Sequence, residues 1–122
     1  MFRRMVFNVA VRNQDDHTKN ISFLMGEDGK WRLSPAYDMG YAYNPQGGWT
    51  SQHQMSINGK FDGITRADLL SFASANGIKY AAEVIDQVFN AIASWPEMAR
   101  EVGVPEEMIK GIAGNMQLGA RQ

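Results

Sequence analysis

Residues 11–24 read VRNQDDHTKNISFL. Between Asn13 and Asn20, two adjacent aspartates, a histidine, a lysine and the two asparagines share one short stretch, with an apolar run on either side. Polar residues packed this densely between core-forming segments belong either to a turn or to a site. The fold around them follows from which it is.

Upstream, Phe2, Met5, Val6, Val9 and Ala10 recur at helical spacing, with Arg3 and Arg4 on the other side, which predicts an amphipathic helix over residues 2–12. Its apolar face is already running at Met1, with no Ser, Thr, Asp or Asn to cap it, as in a helix entered partway through a larger domain. Downstream, ISFLM and KWRLS flank GEDGK, a pattern that predicts a β-hairpin over 21–25 and 30–34, ended by Pro35. Residues 39–63, rich in Gly, Asn, Gln and Ser, predict a long functional or mobile loop with a short strand at 55–57.

Helical periodicity then returns to the end of the chain. Thr65 and Asp68 form a capping-box pattern ahead of ADLLSFASAN, and Gly77 can close that helix in the left-handed conformation. Ala81, Val84, Ile85, Val88, Phe89, Ile92 and Trp95 make one stripe, predicting a helix from 79 to about 101 that Pro96 kinks or breaks. Pro105, Glu106 and Glu107 open a final helix carrying Met108, Ile109, Ile112 and Met116. The expected architecture is mainly α with a small β-hairpin, in a single domain over 1–122.

Composition narrows the function. With 12 Lys and Arg against 13 Asp and Glu, the net charge of −1 gives no electrostatic reason to expect nucleic acid or an anionic membrane as partner. There is no cysteine, hence no disulfide framework and no thiolate zinc site. His17 and His53 lack the paired spacing of a zinc site. The apolar opening is too short to span a membrane and has no cleavage site after it, so the chain reads as soluble and cytoplasmic. No internal repeat is present.

Phosphoryl transfer from ATP needs a carboxylate to accept the hydroxyl proton and oxygen ligands to hold magnesium against the phosphates. Protein kinases place an Asp five residues before an Asn in the catalytic loop, with a further metal-binding Asp downstream. Asp15 precedes Asn20 by that spacing, and Asp38, followed by Met39 and Gly40, stands just beyond the predicted hairpin. A hairpin of this kind returns the second Asp to the mouth of the loop. The order helix, Asp, Asn, hairpin, Asp-x-Gly favours a site.

The same residues resemble the carboxy-terminal domain of the HipA-family serine/threonine kinases, the toxins of bacterial HipBA-type persistence modules. The family's run of the form Asn-x-Asp-x-His-x-Lys-Asn stands here as Asn13, Asp15, His17, Lys19 and Asn20, and its Leu-x-Pro-x-Tyr-Asp as Leu33, Pro35, Tyr37 and Asp38. The resemblance continues through HQMSINGK and the helical tail with Trp95. It implies the larger, carboxy-terminal lobe of a protein-kinase-like fold, ATP and Mg2+ as cofactors, Asp15 as catalytic base, and Asn20 and Asp38 as magnesium ligands. It also implies a protein substrate, a HipB-like antitoxin partner, and an amino-terminal nucleotide-covering lobe that the matched region does not contain.

To this the residues add finer expectations. Lys19 can neutralise charge on the transferring phosphoryl group, while His17 braces the loop. Lys60, in MSINGK, can face nucleotide phosphate or peptide, or belong to a structural turn. Asp16 is expected to be solvated or capping, and His53 to lie on the surface. Gly47-Gly48 lacks phosphate-loop spacing. Three functions stay open: a HipA-like kinase lobe, which the family implies; an inactive lone lobe that only binds or folds, which is the behaviour expected of this chain on its own; and a small-molecule kinase of the aminoglycoside or choline type. The third expects a His where Asn13 stands. Without a partner lobe, apolar cleft surface would favour self-association, and sedimentation as a clean monomer at high concentration would count against it.

Overall fold

A computed structural model describes residues 1–117. Among them, five helices and one two-stranded antiparallel sheet follow in the order α1 (Phe2–Val11), β1 (Phe23–Met25), β2 (Trp31–Leu33), α2 (Arg66–Ala75), α3 (Ala81–Ala93), α4 (Trp95–Glu101) and α5 (Glu106–Asn115). A single 3-10 turn, Thr18–Asn20, lies between α1 and β1. The mainly helical architecture with one hairpin is as expected. The helical reading beyond residue 117 falls outside the described residues.

The core forms where α1 lies on α3, with α2 also packed against α3. Val6, Val9 and Ala10 meet Ile85, Val88 and Phe89, all but closed to solvent, as the stripes on both helices dictate. No side chain caps α1 at Met1. At its other end Arg12 adopts the left-handed conformation (φ 53°), the Arg12 N–H donating to the Val9 carbonyl and the Asn13 N–H to the Asn8 carbonyl. This is a Schellman closure built on arginine instead of glycine, and a left-handed non-glycine residue costs about 1–2 kcal/mol. The Arg12 guanidinium sits 4.3 Å from the centroid of the Tyr43 ring, a cation–π contact that offsets part of that cost.

The predicted helix over 79–101 is two helices. Pro96 has no N–H to give the Ile92 carbonyl and would clash with it, so the chain breaks at Ser94, and Pro96 falls in the first turn of α4, where no donor is needed. The hairpin is shorter than expected, pairing Phe23 with Leu33, Leu24 with Arg32 and Met25 with Trp31. It stands away from the core, with Phe23, Leu24, Met25 and Trp31 each more than half exposed. The expected strand at 55–57 is absent. In its place Ile57 and Lys60 exchange backbone hydrogen bonds of 3.0 Å around Asn58 and Gly59, both at positive φ, which is a tight Asn-Gly turn.

That turn is docked on the start of α2. The capping box is formed as expected: the Thr65 hydroxyl accepts from the Asp68 N–H while the Asp68 carboxylate accepts from the Thr65 N–H at 2.8 Å. Gly77 follows α2 in the left-handed conformation (φ 63°). Lys60 Nζ reaches the same carboxylate at 2.8 Å, and this hydrogen bond, then those from Thr65, hold Asp68 well below the usual carboxylate range. A lowered folded-state pKa stabilises the fold in full above the ordinary value of 3.8 and is lost as the pH falls below it toward the folded-state value. Thr65→Ala is therefore expected to cost about 1 kcal/mol in urea denaturation at pH 7. Asp68→Asn is expected to flatten the decline of stability that the native chain shows below about pH 4.

Candidate active site

After α1 the left-handed turn at Arg12 sends residues 13–16 away from the helix axis. They are received by the segment beyond β2, where the Gln14 N–H donates to the Ala42 carbonyl at 3.0 Å and the Ala42 N–H to the Arg12 carbonyl at 3.1 Å, as an isolated parallel bridge. The buried Asn13 amide donates to the Asp38 carbonyl (3.1 Å) and to Asn8 Oδ1 (3.0 Å), and the Tyr37 hydroxyl donates to the Lys19 carbonyl at 2.8 Å. Four hydrogen bonds thus lay residues 37–42 along residues 12–19. They bring Asp38 beside the Asp15–Asn20 loop although 17 positions separate Asp38 from Ile21, the residue that ends the 3-10 turn.

Within the loop, Asn20 Nδ2 donates to the Asp15 carbonyl at 3.1 Å, which leaves Oδ1 as its uncommitted acceptor. Asn20 and Asp38 both line a cavity of about 360 Å³, together with Asn13, Asp16 and His17. The apolar Met5, Met55, Ile57 and Phe72 are also among its lining residues. Asp38 is exposed and, like Arg12, left-handed (φ 53°), a conformation that aspartate tolerates better than most residues. Asp15 and Lys19 are outside the cavity lining. The Asp15 carboxylate is 47% exposed, with His17 Nε2 at 3.7 Å from its Oδ1, and His17 Nδ1 is buried with no hydrogen-bond partner among the described residues.

Among the described residues no group of three or more His, Cys, Asp or Glu could hold a metal by itself. Asn20 and Asp38 both line the cavity, and an amide oxygen and a carboxylate are oxygen ligands of the kind magnesium takes alongside phosphate and water.

The model of the HipA-like C-terminal domain matches residues 1–117. The chain belongs to that family. No curated protein and no solved structure matches significantly. In this HipA-like domain, no helix among the described residues is long and apolar enough to cross a membrane.

Other residues of the HipA-like domain stand differently from expectation. His53 is buried, not on the surface, with 1% of its area exposed. Its Nδ1 lies 2.9 Å from Asp16 Oδ2, and the Gln54 N–H donates to Asp16 Oδ1 at 2.7 Å. Asp16, expected to be solvated or capping, is thereby held at both oxygens. Lys60 does not line the cavity; its ammonium is committed to Asp68, so the structural-turn alternative describes its position. Lys19 makes no ion pair among the described residues and is exposed. No spacing rule links Asp16 to His53, 37 residues on, so the pair could not be read from the chain. Asn13 and Tyr37 belonged to the motif, but their work as struts is a property of the folded contact.

Proposed function

We propose that this HipA-like domain is the catalytic lobe of a serine/threonine protein kinase, in the larger lobe of a protein-kinase-like fold. The observation that carries the reading is that Asn20, bonded to the Asp15 carbonyl, and Asp38 face one cavity beside Asp15. Asp15 takes the proton of a protein hydroxyl as its oxygen bonds to the γ-phosphorus of ATP; the bond from that phosphorus to the bridging oxygen breaks and ADP leaves. Asn20 and Asp38 would hold magnesium, which neutralises phosphate charge when bound. Lys19, with no ion pair among the described residues, supplies further positive charge to the transferring group. The family adds a cellular protein as substrate and a HipB-like antitoxin as partner to the proposal.

A second reading, a lobe that binds without turnover, has its own support. Among the described residues no lysine lines the cavity, and Lys60 is committed elsewhere. The small-molecule kinase reading is weaker, because Asn13 is a buried strut to Asp38 where those enzymes carry a histidine.

Isothermal titration of the chain with Mg-ATP, with Asp38→Ala as control, tests the site. Binding that the variant loses is the expected result. Equal heats from both proteins, or none from either, would remove Asn20 and Asp38 from the nucleotide site of this chain.

A further inference from the structure

Asp16 is the neighbour of the proposed base, yet both of its oxygens are used within the protein. Oδ2 accepts from His53 Nδ1 at 2.9 Å and Oδ1 from the Gln54 N–H at 2.7 Å, while the side chain keeps only 10% of its area exposed. A carboxylate saturated in this way is poorly placed to act as a base or to bind a cation. Its bonds are of the short, charge-assisted kind that fix geometry.

The other partner is just as constrained. The His53 side chain is fully buried, and its Nε2 has no hydrogen-bond partner among the described residues, so the ring is held through Nδ1 alone. As the donor to the Asp16 carboxylate, the ring carries a proton at Nδ1. The His53 N–H donates to the Phe61 carbonyl at 2.9 Å, and the Gln54 side-chain amide donates to the Trp49 carbonyl. His53 and Gln54 therefore link the Trp49 and Phe61 parts of the 39–63 loop to one carboxylate. That carboxylate is joined by a single peptide bond to Asp15.

We propose that the buried Asp16–His53 pair is a positioning device, which pins the 39–63 loop against the Asp15 segment and so sets Asp15 for phosphoryl transfer. The proposal rests on the kinase reading for its purpose, though not for its geometry. Asp15 is tied on one side by Asn20 at its carbonyl and on the other by Asp16. Release of the second tie frees the backbone that aims the base, and misplacement by about 1 Å can cost about 10²-fold in rate. Asp16 and His53 are thus positioning residues, and Asp15 remains the catalytic one.

The test compares His53→Leu, which keeps apolar volume and removes the donor, with His53→Asn, whose amide N–H can stand where Nδ1–H stood. In the native chain, long-range proton–nitrogen NMR spectra are expected to show His53 protonated at Nδ1. Amide exchange of Gln14, Asn20 and Ile21, whose N–H groups bond within and beside the loop, is expected to speed up about tenfold in His53→Leu while amides of α3 keep their protection. His53→Asn should restore most of it. In phosphoryl transfer, His53→Leu should lower kcat with KM for ATP within about twofold, and His53→Asn should recover kcat.

Unchanged exchange at those three amides, loss of protection spread evenly over α3, or a ring protonated at Nε2 would overturn the proposal. A native chain that binds no Mg-ATP but shows the local exchange response would overturn the kinase reading and leave the clamp standing. The two failures are separable.

Discussion

Asp15→Asn is expected to lower phosphoryl transfer by about 10²–10⁴-fold, the usual contribution of a positioned general base, with Mg-ATP affinity unchanged. The replacement keeps the shape of the side chain and removes its ability to take a proton. The carbonyl that Asn20 holds at 3.1 Å belongs to the backbone, so the loop should survive the change. The half-exposed carboxylate is open to an incoming protein hydroxyl. Phosphate incorporation into serine and threonine, followed by mass spectrometry with both proteins saturated in Mg-ATP, measures the ratio. Equal rates would remove Asp15 from the chemistry. Mg-ATP binding without transfer by the native chain would give the domain to the second reading, a lobe that binds without turnover.

Phe89→Ala is expected to carry the largest stability cost, about 3–5 kcal/mol, since truncating a large buried aromatic loses transfer free energy and leaves a cavity. Phe89 is 1% exposed, at the centre of the core that α1 and α3 share. A domain of this size is stable by about 5–15 kcal/mol, so the variant should be partly unfolded at 37 °C or close to it. The urea midpoint should fall with little change in slope, while Val102→Ala, at a site 80% exposed, should stay within about 0.5 kcal/mol of the native chain. A Phe89 variant as stable as Val102→Ala would mean that the α1–α3 interface is not the core of the molecule. The consequence reaches function, because α1 also launches the Asp15 loop.

Much of this protein is legible in its sequence because the deciding signals are local. The α3 stripe, the Thr65–Asp68 capping box, the stop at Pro96 and the left-handed Gly77 each involve residues within a few positions of one another, where helix period and backbone sterics settle the outcome. The same holds for the Asp15-to-Asn20 spacing, which one 3-10 turn converts directly into a hydrogen bond. Tertiary structure decided what separate segments do to one another. Asp38 reaches the loop through the struts from Asn13 and Tyr37, Lys60 is drawn to Asp68, and Asp16 and His53 leave solvent to find each other. Burial explains the last case: a buried carboxylate or imidazole needs a partner, and only the folded chain determines which residues are enclosed together.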